Sequence, residues 1–186
     1  MIHPLHSLIA GALLCATFTV HGQPIVSEVR VTPQGALAQI VISIYNYDVV
    51  IDSLGVIQHV ESMVDKNLVS SLTLQKDAIK QKNGRNLEFP NGKITSIHDM
   101  QILYSHSAQD RIERLGDLKF VYLGKENKIS QVGCLEIKYE AASGKLESVG
   151  LVRFYYDYSN NRISEATVIE RSACSARVRI LHQLSK

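Results

Sequence analysis

The chain has 186 residues, with 20 Lys or Arg against 18 Asp or Glu and a formal net charge of +2. That length suits one domain with a substantial core. The charge balance gives no electrostatic case for nucleic acid or for an anionic surface as partner.

Residues 1–22 hold no Asp, Glu, Lys or Arg, and an apolar stretch runs from Leu8 to Val20. Val20-His21-Gly22 then suits a signal-peptidase cut. The segment reads as a secretory signal peptide, leaving 23–186 as a single β-repeat domain in the periplasm or outside the cell. The apolar stretch falls short of the ~20 residues that a membrane helix needs, so no transmembrane span is expected after cleavage. Ala12-Leu13-Leu14-Cys15 is a poor lipobox, because the residue before the cysteine should be small; lipoprotein is the minor alternative.

From 34 to 92 the chain carries a degenerate repeat. Gly35 to Ile40, Gly55 to Val60 and Gly92 to Ile97 all fit G-x-[IL]-x-x-[IV]. Residues 61–90 read as degenerate strand with a helical turn. Regular repeats fill 93–171. A basic residue followed by Ile or Leu recurs at Lys93-Ile94, Arg111-Ile112, Lys128-Ile129, Lys145-Leu146 and Arg162-Ile163, at spacings of 18, 17, 17 and 17. Such a period predicts a row of hairpins, each packed on the last. Within a unit, Gly116, Gly133 and Gly150 occupy the first central position of a two-residue turn, which needs positive φ. His98 and Thr167 stand there in the first and last units. The return loops end at Gly92, Asp110, Asn127, Gly144 and Asn161, residues that tolerate the left-handed region. Turns at both ends of every strand predict an all-β antiparallel meander of ~17-residue hairpins, curled or closed in part into a barrel. In the tail, 172–186, Ala176 to Ile180 alternates as an edge strand would.

Pairing across the Gly133-Cys134 turn puts Met100, Leu118, Leu135, Val152 and Ile169 in one core column and Ile102, Phe120, Ile137 and Phe154 in a second. On the opposite face, Ile94/Leu103, Ile112/Val121 and Leu146/Tyr155 form an apolar stripe near the long loops. Arg114 opposite Lys119 marks a wet stripe near the tight turns. An even pair of cysteines, Cys134 and Cys174, invites a disulfide after export. In strict register, however, the two lie at opposite ends of the strands. The bond therefore requires the last repeat to break register and the tail to fold back.

No catalytic, cofactor-binding or metal-binding residues are assigned. The sequence holds no H-E-x-x-H, C-x-x-C, G-x-S-x-G, P-loop or Rossmann pattern, and His98 and His106 belong to opposite ends of one hairpin. The most regular polar feature is a column of tyrosines, Tyr104, Tyr122, Tyr139 and Tyr156, each opposite a cation: Lys93, Arg111, Lys128 and Lys145. One reading is a binding surface that stacks glycan or peptide. The other is a strand-end ladder, rings inward and hydroxyls outward, covered by Lys and Arg stems.

Tyr156-Asp157-Tyr158-Ser159-Asn160-Asn161-Arg162-Ile163 resembles the YD-repeat pattern Y-D-x-x-G-R-[LI], with one residue inserted and Asn in place of Gly; Tyr47-Asp48 is a looser echo. The hairpin grammar of YD-repeat and Rhs-like proteins extends over much of 35–171. The resemblance implies a secreted β-repeat protein and carries over no catalytic residue. The expected function is a non-catalytic binding or envelope-structural module whose partner is an envelope protein or a glycan. The alternatives are a small-ligand carrier or enzyme with a pocket inside the curled sheet, and assembly through exposed strand edges.

Overall fold

A computed structural model describes residues 23–63, 87–88, 93–107, 110–124, 127–169, 174 and 176–181. The expected signal peptide and most of 61–90 lie outside these residues. The described chain is all-β. Strands β1 (Ile25–Val31), β2 (Leu37–Ile44), β3 (Tyr47–Asp52) and β4 (Ile57–Ser62) form an antiparallel meander. β15 (Arg177–Ile180) adds to it beside β1, in parallel. The second sheet has ten strands in chain order: β5 (Leu87–Glu88), β6 (Ser96–Ile97), β7 (Met100–Tyr104), β8 (Ile112–Leu115), β9 (Leu118–Tyr122), β10 (Ile129–Val132), β11 (Leu135–Tyr139), β12 (Leu146–Val149), β13 (Val152–Asp157) and β14 (Arg162–Val168). Every neighbouring pair in it is antiparallel. The expected edge strand in the tail is β15.

The turns follow the residue chemistry. Gly116, Gly133 and Gly150 have φ of 54, 57 and 54°. His98 adopts φ of 54° without the freedom of glycine, so the first unit turns as the others do. The loop ends Asn127, Gly144 and Asn161 are left-handed as well, at 54, 67 and 59°. The last unit differs. Thr167 pairs with Arg153 and Val168 with Val152, so β14 runs straight through the position of the expected turn. Two β-branched residues favour the extended chain there over positive φ. Ile169 consequently leaves the core column and is 52% exposed. The other column members are buried or packed against the core.

One regular irregularity corrects the expected faces. Tyr104 pairs with Ile112, Tyr122 with Ile129, Tyr139 with Leu146 and Tyr156 with Ile163, and a register shift follows each time. Each shift is a β-bulge that gives one strand an extra residue: Glu113, Ser130, Glu147 or Ser164. A flat strand would put residues three apart on opposite faces. The bulge brings both inward. Ile112 and Leu115, Ile129 and Val132, and Leu146 and Val149 are therefore all buried. Ile94, Ile112 and Leu146 belong to the core, while Leu103, Val121 and Tyr155 stay exposed on the outer face. Arg114 does face Lys119 there, and both are exposed. The first sheet has the same bulges, at Ala38 and Gln58. Its two hairpins are therefore units of the same construction.

Residues of both sheets join in one apolar cluster that includes Val29, Ile40, Ile42, Val49, Ile51, Ile97, Ile112, Leu115, Ile129 and Leu146. Apart from Ile169, the two core columns expected to line a pocket in a carrier pack into this cluster.

Gly133 tests the turn chemistry. A Cβ there would lie 2.6 Å from Leu118 Cδ2, and the backbone is left-handed. Gly133→Val should cost about 2–3 kcal/mol, read as a lower melting temperature, since strain and overlap add. An unmoved melting temperature would show that this turn does not have the conformation described.

Candidate functional site

The tyrosine column lies at the long-loop end of the ten-stranded sheet, and the bulge explains its form. Each bulge turns an apolar side chain inward and withdraws its backbone from the ladder of strand hydrogen bonds. Buried backbone groups must then find other partners. At Ile112, Ile129 and Leu146, and at Ile94 in the unit before, the carbonyl is met by the hydroxyl of the tyrosine ten residues on. Tyr104 donates to Ile94 O at 2.8 Å, Tyr139 to Ile129 O at 2.8 Å and Tyr156 to Leu146 O at 2.6 Å; Tyr122 donates to Ile112 O in the same way. The amides are met by the first sheet. Ile112 N–H donates to Gly55 O, Ile129 N–H to Ser53 O, Leu146 N–H to Gly35 O and Ile163 N–H to Pro33 O, at 2.8–3.0 Å. The β3–β4 turn thus serves two units of the ten-stranded sheet, and the β1–β2 turn serves the next two.

The cations close the outer side. Lys93 Nζ lies 5.4 Å from the Tyr104 ring centre, Arg111 Cζ 4.4 Å from Tyr122, Lys128 Nζ 5.5 Å from Tyr139 and Lys145 Nζ 4.3 Å from Tyr156. Each is close enough for attraction to the ring face. Three of the four cations also reach the loop end of the next unit. Lys93 pairs with Asp110 at 2.7 Å, Arg111 donates to Asn127 Oδ1 at 2.8 Å, and Lys145 donates to Asn161 Oδ1 at 2.5 Å. The corresponding residue beyond Lys128 is Gly144, which has no side chain to offer. These three cations therefore tie their own tyrosines to the following hairpin. The hydroxyls point inward to the backbone rather than outward, and the ladder is half-buried throughout.

Gly35 and Gly55 lie directly on two of these hydroxyls. A Cβ at Gly35 would overlap the Tyr156 hydroxyl, and one at Gly55 the Tyr122 hydroxyl. The glycine of G-x-[IL]-x-x-[IV] thus permits close approach of the first sheet to the ladder, besides a turn.

Asp157 shows what the acid of the Tyr-Asp pair does. Its Oδ1 accepts from Ser159 N–H at 2.8 Å and from the Ser159 hydroxyl at 2.7 Å, and its Oδ2 accepts from Asn160 Nδ2 at 2.6 Å. The bonds from the Ser159 hydroxyl and N–H hold its carboxyl below the usual range, and all three fix the loop that returns to Arg162. Asp52 fixes the β3–β4 turn in the same way, through Leu54 and Val56 N–H.

The histidines are dispersed. His59 contacts Glu61 at 2.7 Å on the first sheet, and His106 is exposed in a long loop. His98, in a tight turn, meets the Tyr45 ring at a tilt of 54° with ring centres 4.5 Å apart, while Tyr45 donates to Asp99 at 2.6 Å. Tyr45 is itself left-handed, at φ of 51°. This contact between the two sheets was not anticipated from sequence. Among the described residues no group of three or more His, Cys, Asp or Glu is placed to hold a metal ion. No described helix is long and apolar enough to cross a membrane.

Cys134 and Cys174 are bonded, with Cα atoms 5.8 Å apart. The broken register supplies the route. β14 does not turn back, and Cys174 lies at the tight-turn end, where its carbonyl oxygen would be 3.4 Å from a Cβ on Gly150.

Compared with known proteins, the chain matches no family model, no curated protein and no solved structure.

Two measurements test the ladder. Gly55→Ala should cost about 2 kcal/mol, and Tyr122→Phe about 1–2 kcal/mol, by loss of the bond to Ile112 O. Because both act at one contact, a double-mutant cycle should give a coupling of at least ~0.5 kcal/mol, and simple additivity would separate the two sites. The second measurement is alkaline stability. Burial raises the Tyr104 and Tyr156 phenols to about 12, with Asp110 and Glu140 adding to the rise, and burial also raises Tyr122. A phenol raised in the folded state stabilises fully below its unfolded pKa of ~10 and ceases to do so as pH passes the folded value. The melting temperature should therefore fall between pH ~10 and 12, in step with phenolate absorbance. Replacing the four ladder tyrosines by Phe should flatten that fall.

Proposed function

We propose that this chain is an exported, non-catalytic β-repeat protein of the periplasm or extracellular space, serving as a binding or envelope-structural module. The observation that carries the reading is the Cys134–Cys174 bond, which suits an oxidising compartment and agrees with removal of residues 1–22 as a signal peptide. A YD-repeat or Rhs-like relationship is part of the same reading, supported by the Tyr-Asp pair whose acid caps its loop. Curling of the ten-stranded sheet around the first is supported by the amide bonds from its units to two turns of the smaller sheet.

The packing of Ile102, Phe120, Ile137 and Phe154 into the core favours a surface role over an internal carrier pocket. The ladder tyrosines commit their hydroxyls and one ring face within the protein. A glycan or protein partner would meet the loops around them and the mixed-charge outer face, with exposed Leu103, Val121 and Tyr155. The partner is an envelope protein or glycan, and no cofactor takes part.

The test is cross-linking of the tagged protein in its native envelope, with fractionation and thiol labelling of the same sample. The expected outcome is an envelope fraction free of reactive thiol and one reproducible envelope partner. Two reactive thiols in a cytoplasmic fraction would defeat the proposal of export. Reduction of the purified protein should lower its stability by roughly 2–4 kcal/mol.

A further inference from the structure

Among the described residues, the last strand of the ten-stranded sheet lacks the second neighbour that the pattern gives to each of β6 to β13. β14 pairs with β13 on one side, and among the described residues nothing pairs on the other. The disulfide holds Cys174 at the tight-turn end, and β15 joins the first sheet instead. Nearly all of β14 is exposed on both faces, with Val168 at 66%. The hydrogen-bonding direction is known. Ile169 N–H donates to Leu151 O, so Ile169, Thr167 and Glu165 aim their backbone groups at β13. Ala166 and Val168 aim theirs at the open side. A seven-residue strand running Arg-Ile-Ser-Glu-Ala-Thr-Val is long for an unprotected edge and has no proline.

We propose that β14 pairs antiparallel with β14 of a second copy of this chain, about a two-fold axis through Ala166. Self-complementarity selects this occupant and register. With Ala166 opposite itself, the two outward-facing backbones exchange both hydrogen bonds, and the small side chain leaves no clash at the axis. Glu165 then faces Thr167, and Val168 faces Ser164. Centring the pair on Glu165 would oppose two carboxylates, and centring it on Thr167 would put Glu165 against Ile169; both are poorer. The isologous contact is closed, so it stops at a dimer. It makes one continuous sheet of twenty strands, ten from each copy. This inference does not depend on the protein's destination.

The test uses the disulfide-bonded full chain in sedimentation velocity across a concentration series. The wild type should shift from monomer to dimer as concentration rises. Ala166→Pro removes an outward N–H without touching a bond to β13, so it should keep the melting temperature within a few degrees and weaken dimerisation at least ~10-fold. Thr167→Pro should instead lower the melting temperature. Register is read by cysteine: Ala166→Cys should cross-link two chains, whereas Val168→Cys, with its copies ~14 Å apart, should not cross-link to itself. A monomer at every concentration, a dimer indifferent to Ala166→Pro, or cross-linking at 168 in place of 166 overturns the proposal.

Discussion

A β-bulge at the start of each unit is the constraint on which the rest of the structure depends. Inserting one residue after the leading Ile or Leu turns two apolar side chains into the core from a four-residue strand. It also strips a backbone N–H and C=O of their strand partners. Everything unusual about the protein answers that deficit. A tyrosine takes the carbonyl, a turn of the first sheet takes the amide, and a cation covers the tyrosine. A solution repeated in successive hairpins leaves a ladder that looks like a binding platform in sequence and serves as a seam in three dimensions.

The seam also explains why the two sheets belong together. Hydrophobic burial alone would let one sheet slide over the other. Four directed backbone bonds and two glycine–tyrosine contacts set the register between them. Two turns of the smaller sheet span four units of the larger, so the twenty-residue spacing of the first two units and the seventeen-residue spacing of the rest are matched through geometry rather than through equal length.

Much of this was legible in the residues. The period, the glycine turns and the pairing of each tyrosine with its cation all follow from local chemistry. The faces did not, because strict alternation was applied to a strand that breaks it. The signal was present: apolar residues three apart, as in Ile112 and Leu115 or Ile129 and Val132, cannot share a face in a regular strand and can in a bulged one. Likewise, Thr167-Val168 in place of a glycine already argued against a final turn, and its absence is what lets Cys174 reach Cys134. The ring contact of His98 with Tyr45 lay beyond reach, since it joins residues of different sheets with no common pattern.

The disulfide has a consequence for how the molecule bears load. Its two cysteines are 40 residues apart and enclose β11 to β14 in a covalent ring. Once β15 is pulled from β1, tension applied to the carboxyl end passes through Cys174 to the β10–β11 turn, so β11 to β14 are excluded from the stretched path and cannot be peeled away one after another. A protease that nicks a loop inside the ring releases no fragment. The end of a repeat array is ordinarily where it frays, and here that end is fastened back to the middle of the sheet.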